Sequence, residues 1–301
     1  VSIELKAPVT ELYCDTVQGE GQSIGKLCSF IRFTGCIRTC SWCDSAHTWK
    51  KGMIQSTKMS VDKIVCFLAE GNARHLIITG GEPMMHQDKA YFTDMIKNLS
   101  TLGFTFEIET EGSFVPNSIL TQLWSAGKLQ INCSPKLKSA GMGDLSDDYA
   151  KPVLPVLAQR VTLSDNLAKP PTDMVSSLSV LYGYGAIFKF VVADDADAIE
   201  AFSLLKKAIP NVDWSDLRKR VYFMPLGERR QEQLDTMNQI LDMSIQYGVN
   251  FSPRLHILRW ITRRVYDGSW VSTLGSSSTF SSWNLWHATW MGNCVFRARE
   301  A

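Results

Sequence analysis

The sequence lacks any apolar run long enough to span a bilayer, and its opening Val1-Ser2-Ile3-Glu4 carries no signal-peptide pattern. A membrane-embedded or secreted protein is therefore not expected, and the expected compartment is cytoplasmic. An excess of one charge is missing too: 31 Lys and Arg stand against 30 Asp and Glu. Nothing in that balance invites nucleic acid or a membrane surface, so the expected partner is a small molecule. There is no internal repeat. The one run that imitates a phosphate loop, Gly19-Glu20-Gly21 to Gly25, lacks the lysine-serine pair that should follow it. A chain of 301 residues can still bury a sizeable core, as one domain of roughly 200 to 250 residues with an appendage or as two domains.

Cysteine is what the chain has in an informative arrangement. Cys14, Cys28, Cys66, Cys133 and Cys294 are scattered and read as small apolar fillers of a reduced compartment. Cys36, Cys40 and Cys43 instead cluster in Gly35-Cys36-Ile37-Arg38-Thr39-Cys40-Ser41-Trp42-Cys43-Asp44-Ser45. Three thiolates so spaced can hold three irons of a 4Fe-4S cube and leave the fourth iron open for a ligand. A closed zinc site would need a fourth protein ligand, for which His47 is the nearest candidate; it follows too closely for usual finger geometry, but spacing alone leaves that reading open.

Strand patterns rich in β-branched and aromatic residues fall at 28–34, 75–79, 104–110, 129–133, 186–192, 221–226 and 249–252. Helical patterns lie between them. The clearest covers 88–102, where Phe92, Met95, Ile96 and Leu99 share one face, Asp88 is placed as N-cap and Gly103 ends the pattern. Others cover 61–70, 117–126, 197–209 and 228–247. This alternation predicts an α/β fold with a parallel sheet, either open or an incomplete barrel. The polar and glycine-rich clusters fall where strands end, and the carboxyl ends of parallel strands share one face, so the cysteines, Glu82, Thr110 and Lys136 should converge on one cleft. Residues 137–185, with Pro152, Pro155, Pro170 and Pro171, read as a long insertion holding a turn of helix at 156–160. Residues 1–260 are expected to form the core domain. Residues 261–301 read as a Trp- and Ser-rich C-terminal extension without helical or strand periodicity.

The cysteine spacing, Trp42 before Cys43, and Gly80-Gly81-Glu82-Pro83 resemble the radical S-adenosylmethionine superfamily. Within it, Val17-Gln18-Gly19-Glu20-Gly21, Phe30-Ile31-Arg32, Cys43-Asp44-Ser45 and Ser134-Pro135-Lys136 resemble the 7-carboxy-7-deazaguanine synthase family over roughly residues 8–260. The resemblance implies an incomplete (β/α)6-type radical barrel and a lyase that contracts the ring of 6-carboxy-5,6,7,8-tetrahydropterin in 7-deazapurine (queuosine-type) biosynthesis. It also implies a 4Fe-4S cluster on Cys36, Cys40 and Cys43, S-adenosyl-L-methionine, magnesium, and an electron donor such as flavodoxin or ferredoxin. A homodimer is the expected assembly.

Residue roles follow as expectations. Gly80 and Gly81 would let backbone approach the methionyl group of the cofactor, and Glu82 would accept from its ammonium. Trp42, Cys43, Asp44, Gly112, Ser134, Pro135 and Lys136 would complete the cofactor pocket. Arg32, placed mid-strand among Phe30, Ile31 and Phe33, needs an anion partner: a substrate carboxylate held in fork geometry, or a structural salt bridge. Gln18 would meet the pterin's amide edge and Glu20 its amino group, with Val17, Gly19 and Thr110 beside them. His256 matches a family histidine at the substrate cleft, although a core histidine satisfies the same pattern. Ser45 stands where the family more often has Thr, and its hydroxyl would ligate magnesium or cap the following turn. Two other readings share some of these residues. An activating enzyme acting on a protein glycine would use the cysteines and Glu82 but not Arg32 with Gln18, and a non-catalytic scaffold would hold zinc.

Overall fold

The computed structural model describes residues 4–141 and 173–259. All seven expected strands are present, as β2 (Leu27–Phe33), β4 (His75–Gly80), β5 (Thr105–Thr110), β6 (Leu129–Cys133), β7 (Ile187–Val192), β8 (Val221–Pro225) and β9 (Asn250–Phe251). Two strands were not anticipated: β1 (Lys6–Val17) and β3 (Thr57–Ser60). They form one nine-stranded sheet in the order β3-β1-β2-β4-β5-β6-β7-β8-β9. From β2 onward every pairing is parallel, whereas β1 runs antiparallel to both β2 and β3. The sheet stays open between β3 and β9, as an incomplete barrel requires.

β1 hides from sequence reading because it keeps no clean two-residue period. Ala7 and Val9 are buried, but the register shifts between Tyr13 and Thr16, where Asp15 takes a left-handed φ of 54°. The Asp15 carboxylate uses that bend to accept from the amides of Asn72 and Ala73, so the bulge caps the turn before β4.

The crossover helices are α1 (Val61–Glu70), α2 (Ala90–Thr101), α3 (Ser118–Ser125), α4 (Met174–Gly183), α5 (Asp195–Ala208), the short α6 (Trp214–Arg218) and α7 (Arg230–Tyr247). A final short helix, α8 (Leu255–Arg259), follows β9. The amphipathic pattern of α2 is realised, since Phe92, Met95, Ile96 and Leu99 are its buried residues. Its N-cap is Lys89, however, because Asp88 instead accepts from the Asn117 side-chain amide. Asn117 caps α3, its side chain accepting from Leu120 N. The expected insertion needs correcting at its end: α4 lies inside 137–185 and is the β6 to β7 crossover, burying Met174, Leu178 and Leu181. The turn of helix at 156–160 and the extension beyond residue 260 lie outside the described residues.

Two apolar clusters fill the space between sheet and helices. One joins β1, β2, β4 and β5 to α1, α2 and α3, and the other joins β6, β7 and β8 to α4, α5 and α7. Alternate residues of the same strands face the other side, where Arg32, Glu109 and Lys189 line a cavity. No helix among the described residues is long and apolar enough to cross a membrane.

Candidate active site

The cavity has a volume of about 760 Å³ and opens at the carboxyl ends of the parallel strands. The three clustered cysteines, Ser45, Arg32, Gln18 to Glu20, Thr110, Lys136 and His256 all line it. Strand ends far apart in sequence therefore meet on one surface, as the alternation implied.

The cysteine loop is held in place by hydrogen bonds of the protein's own. Its ends are tied by Gly35 N donating to Thr48 O at 2.9 Å, and Ser41 N donates to Ala140 O at 2.9 Å, fastening the loop to the segment after β6. The Trp42 ring nitrogen adds a bond to Ser139 O at 2.9 Å. Lys136 lies 5.6 Å over the Trp42 ring and donates to Ser134 Oγ, so Ser134 and Lys136 stand against this loop.

Cys36, Cys40 and Cys43 are free thiols on the cavity wall. Burial raises the pKa of all three. Two sulfurs nevertheless already accept N–H donors, Cys36 from Arg38 N at 3.3 Å and Cys43 from the Trp49 ring nitrogen at 3.2 Å. Such donors stabilise thiolates bound to iron, and the cluster's positive irons would supply the rest of the compensation, so these residues fit a 4Fe-4S cluster. The zinc reading finds no fourth ligand here. His47 Nε2 is engaged by Glu11 Oε1 at 3.0 Å, and no group of three or more His, Cys, Asp and Glu among the described residues is arranged to hold a single ion. Arg38, inside the loop, was not singled out from sequence; it is buried and donates to Glu111 Oε2 at 2.8 Å and to Ser113 Oγ at 2.9 Å.

The glycine pair lines the cavity and also makes room within the fold. A Cβ on Gly81 would sit 2.2 Å from Gly35 O and 2.6 Å from Cys36 Cβ, and one on Gly80 would sit 2.5 Å from Phe33 O. Within the protein they permit close approach of the cysteine loop and of β2. The expectation for Glu82 is corrected. It is fully buried, and its carboxylate accepts from Met84 N at 2.9 Å, Thr110 Oγ1 at 2.9 Å and Glu111 N at 2.8 Å. Burial, with Glu111 nearby, pushes its pKa up to about 8. It braces the ends of β4 and β5 and does not line the cavity. Gly112 likewise faces inward, where a Cβ would meet Cys133 Sγ at 2.7 Å and Leu178 Cδ2 at 2.9 Å. Pro135 is not part of the cavity wall.

Arg32 has the anion partner its setting demanded, and it is a protein carboxylate. Nε donates to Glu11 Oε2 at 2.6 Å, while Nη1 donates to Ser45 Oγ at 2.9 Å and to Gly80 O at 3.3 Å. β2 explains the placement, because Ile31 and Phe33 enter the core while Phe30 and Arg32 face the cavity. Nη2 has no hydrogen-bond partner among the described residues. The Ser45 hydroxyl accepts from Arg32 and donates to Asp44 Oδ1 at 2.9 Å, which leaves one lone pair for a further partner.

The amino-terminal motif is held from below by acids that sequence reading passed over. Gln18 Nε2 donates to Glu107 Oε1 at 2.5 Å and to Glu109 Oε1 at 3.0 Å, and its Oε1 accepts from Gly19 N at 2.8 Å. Its amide is therefore occupied and does not offer an edge to a pterin as expected. Glu20 pairs with Lys189 at 3.0 Å and with Arg254 Nε at 3.2 Å. Burial opposes its charge, but these two cations hold its carboxyl well below the usual range. Lys189, almost wholly buried in β7, also pairs with Glu109 at 2.5 Å. Burial pushes Glu109 up to about 6 despite that lysine. The missed signal was a lysine inside an otherwise apolar strand, Ile187-Phe188-Lys189-Phe190, and two glutamates alternating on Phe106-Glu107-Ile108-Glu109.

His256 sits on α8, past the last strand. It is 3.6 Å from Glu20 Oε1, its side chain is 42% exposed, and a Cβ on Gly19 would meet its Nδ1 at 2.8 Å. It is at the cleft and not in the core.

The model of the Radical SAM superfamily matches residues 30–136. Similar curated proteins include the 7-carboxy-7-deazaguanine synthase of Pyrobaculum aerophilum, 29% identical over 84% of this chain and 94% of that protein. The 7-carboxy-7-deazaguanine synthase of Halobacterium salinarum is 29% identical over 84% of this chain and 90% of its own. Among solved structures, QueE from Escherichia coli superposes with a TM-score of 0.53 at 23% identity, covering 82% of this chain and 93% of that one, which supports the fold. The cysteine loop, the parallel open sheet and these relatives together support placing the chain with the radical S-adenosylmethionine superfamily and, within it, with the 7-carboxy-7-deazaguanine synthases.

Proposed function

We propose that this chain converts 6-carboxy-5,6,7,8-tetrahydropterin to 7-carboxy-7-deazaguanine with loss of ammonia, as its relatives' name implies. The observation that carries the reading is that Arg32 and the 17–20 motif face the same cavity as the three clustered cysteines. Neither an activating enzyme for a protein glycine nor a zinc scaffold has a use for that pairing.

Cys36, Cys40 and Cys43 hold the 4Fe-4S cluster, and residues of the Gly80-Gly81 turn, Ser134 and Lys136 border the place for S-adenosylmethionine. When bound, that pair supplies one-electron reduction and hydrogen-atom abstraction. The protein's share is orientation and exclusion of water. The guanidinium of Arg32 spends its Nε edge on Glu11, so a substrate carboxylate is met by Nη2 and not by the full fork. The backbone of residues 17–20, stiffened through Gln18 and Glu20, forms the wall against the pterin ring, and His256 closes it from the side. The remaining lone pair of Ser45 suits a single oxygen contact to magnesium, whose other ligands would come from substrate and water. A one-electron donor protein, of the flavodoxin or ferredoxin kind, and a homodimeric assembly complete the reading.

The test is an anaerobic incubation of reconstituted protein with S-adenosylmethionine, a reductant, magnesium and the carboxytetrahydropterin. Formation of 7-carboxy-7-deazaguanine is expected. Cofactor cleavage without that product, and with a protein-borne glycyl radical in a partner instead, would assign the chain to the activating class.

A further inference from the structure

The sheet does not close by strand pairing, yet its last segment reaches the first. Beyond β9, Ser252 Oγ accepts from Gly21 N at 2.8 Å and Leu255 N donates to Gly19 O at 3.0 Å. Between those two contacts lies Arg254, 5% exposed, on which three separate parts of the site converge. Its Nε pairs with Glu20 at 3.2 Å, its Nη1 donates to Gly227 O at 2.9 Å, and its Nη2 pairs with Asp44. Asp44 directly follows the cluster-loop Cys43, and Glu20 belongs to the amino-terminal motif.

Followed outward, the contacts form an unbroken chain of alternating charge. It runs from Glu109 to Lys189, Glu20, Arg254 and Asp44, then through the Ser45 hydroxyl to Arg32. Arg254 is the only member of this chain that comes from beyond β9. Without it, Glu20 would still hold Lys189, and Asp44 would still hold Ser45, but nothing in the chain would join the two halves.

Building on the functional reading above, we propose that Arg254 is a positioning residue that locks the substrate-facing 17–20 motif to the cysteine loop, setting the distance between substrate and cofactor. A guanidinium suits this role because its nitrogens point at three acceptors at once, whereas an ammonium is a single point of charge. The lock acts through Glu20 and Asp44, so Arg254 need not touch the reacting atoms.

The experiment compares the parent holoenzyme with Arg254→Gln and Arg254→Lys. Three quantities are read on the same reconstituted samples: iron content, amide hydrogen exchange in peptides covering 17–25 and 40–47, and the ratio of 5'-deoxyadenosine to deazaguanine product. In Arg254→Gln, exchange is expected to rise in both peptides with iron content retained. Product should fall about 10- to 100-fold, the cost of a small misplacement of reacting groups. The deoxyadenosine-to-product ratio should rise, since a misplaced substrate no longer captures each cleavage event. Arg254→Lys should fall between parent and Gln, and it carries the test if the Gln variant does not fold. Unchanged exchange in either peptide, or a Lys variant equal to the parent, overturns the proposal. If the parent itself makes no deazaguanine the functional reading fails, and the exchange data still decide whether Arg254 joins the two loops.

Discussion

On β7, Phe188, Phe190 and Val192 enter an apolar cluster with Leu178, Ala201 and Leu205, while Lys189 and Val191, at the alternate positions, look into the cavity. β5 divides the same way: Phe106 and Ile108 join the other apolar cluster, and Glu107 and Glu109 bind Gln18 and Asn132. The outer face is held by shape and area, so a replacement of similar volume and polarity is tolerated there. The inner face is held by mutual compensation of charge, where removing one member leaves its partners buried and unpaired. One period-two pattern thus yields a scaffold on one side and a chemically committed surface on the other. The functional reading proposed above places substrate and cofactor against the second.

The largest effect that would sharpen this contrast is at the cysteine loop. Replacing Cys36, Cys40 or Cys43 by Ala should strip iron and abolish cleavage of S-adenosylmethionine, because a cube held by two thiolates is labile. Cys133→Ala, on the outer face, should retain both; a Cys40→Ala protein with full iron and full cleavage would remove Cys40 from the ligand set.

Matched swaps on the two faces of the sheet come next. Leu178→Met in the outer core should cost less than about 1.5 kcal/mol of stability. Lys189→Met, equally conservative in volume, should cost about 3 to 5 kcal/mol because Glu20 and Glu109 lose their shared cation. Denaturant titration of both variants at neutral pH measures the difference, and equal costs would mean the inner face is not held by charge compensation.

Arg32→Lys probes the boundary between scaffold and substrate. Keeping the charge but losing the planar group should weaken pterin binding by about 1 to 3 kcal/mol with iron content unchanged. If anaerobic binding titrations give the parent's affinity, Arg32 serves Glu11 and Ser45 alone and the inner face is structural at that point.

The smallest effect is expected at Ser45. Ser45→Ala should keep cofactor cleavage and lose magnesium stimulation of product formation, and Ser45→Thr should restore it by supplying the same oxygen. Product formed against magnesium concentration for the three proteins decides this, since an Ala variant with the parent's magnesium response would leave Ser45 as the link between Arg32 and Asp44 only.

The sequence by itself determined the seven parallel strands, the helices α1, α2, α3, α5 and α7 between them and the cleft at the strand ends. These rest on local periodicity and on a spacing of three cysteines that few other arrangements share. It also marked Arg32 as needing an anion. What it left open is what each polar side chain touches, because partners such as Glu11 for Arg32, Lys189 for Glu20 and Asp44 for Arg254 lie up to 210 residues apart and belong to no local pattern. β1 escaped for a related reason: a bulged, half-buried edge region follows the neighbour it pairs with more than its own period. Tertiary structure alone decided that Glu82 and Gln18 are spent inside the protein, that Gly81 makes room for the cysteine loop, and that Arg254 returns from the end of the sheet to its beginning. Burial is the physical reason, since a charge taken out of water must find its complement wherever the fold brings one.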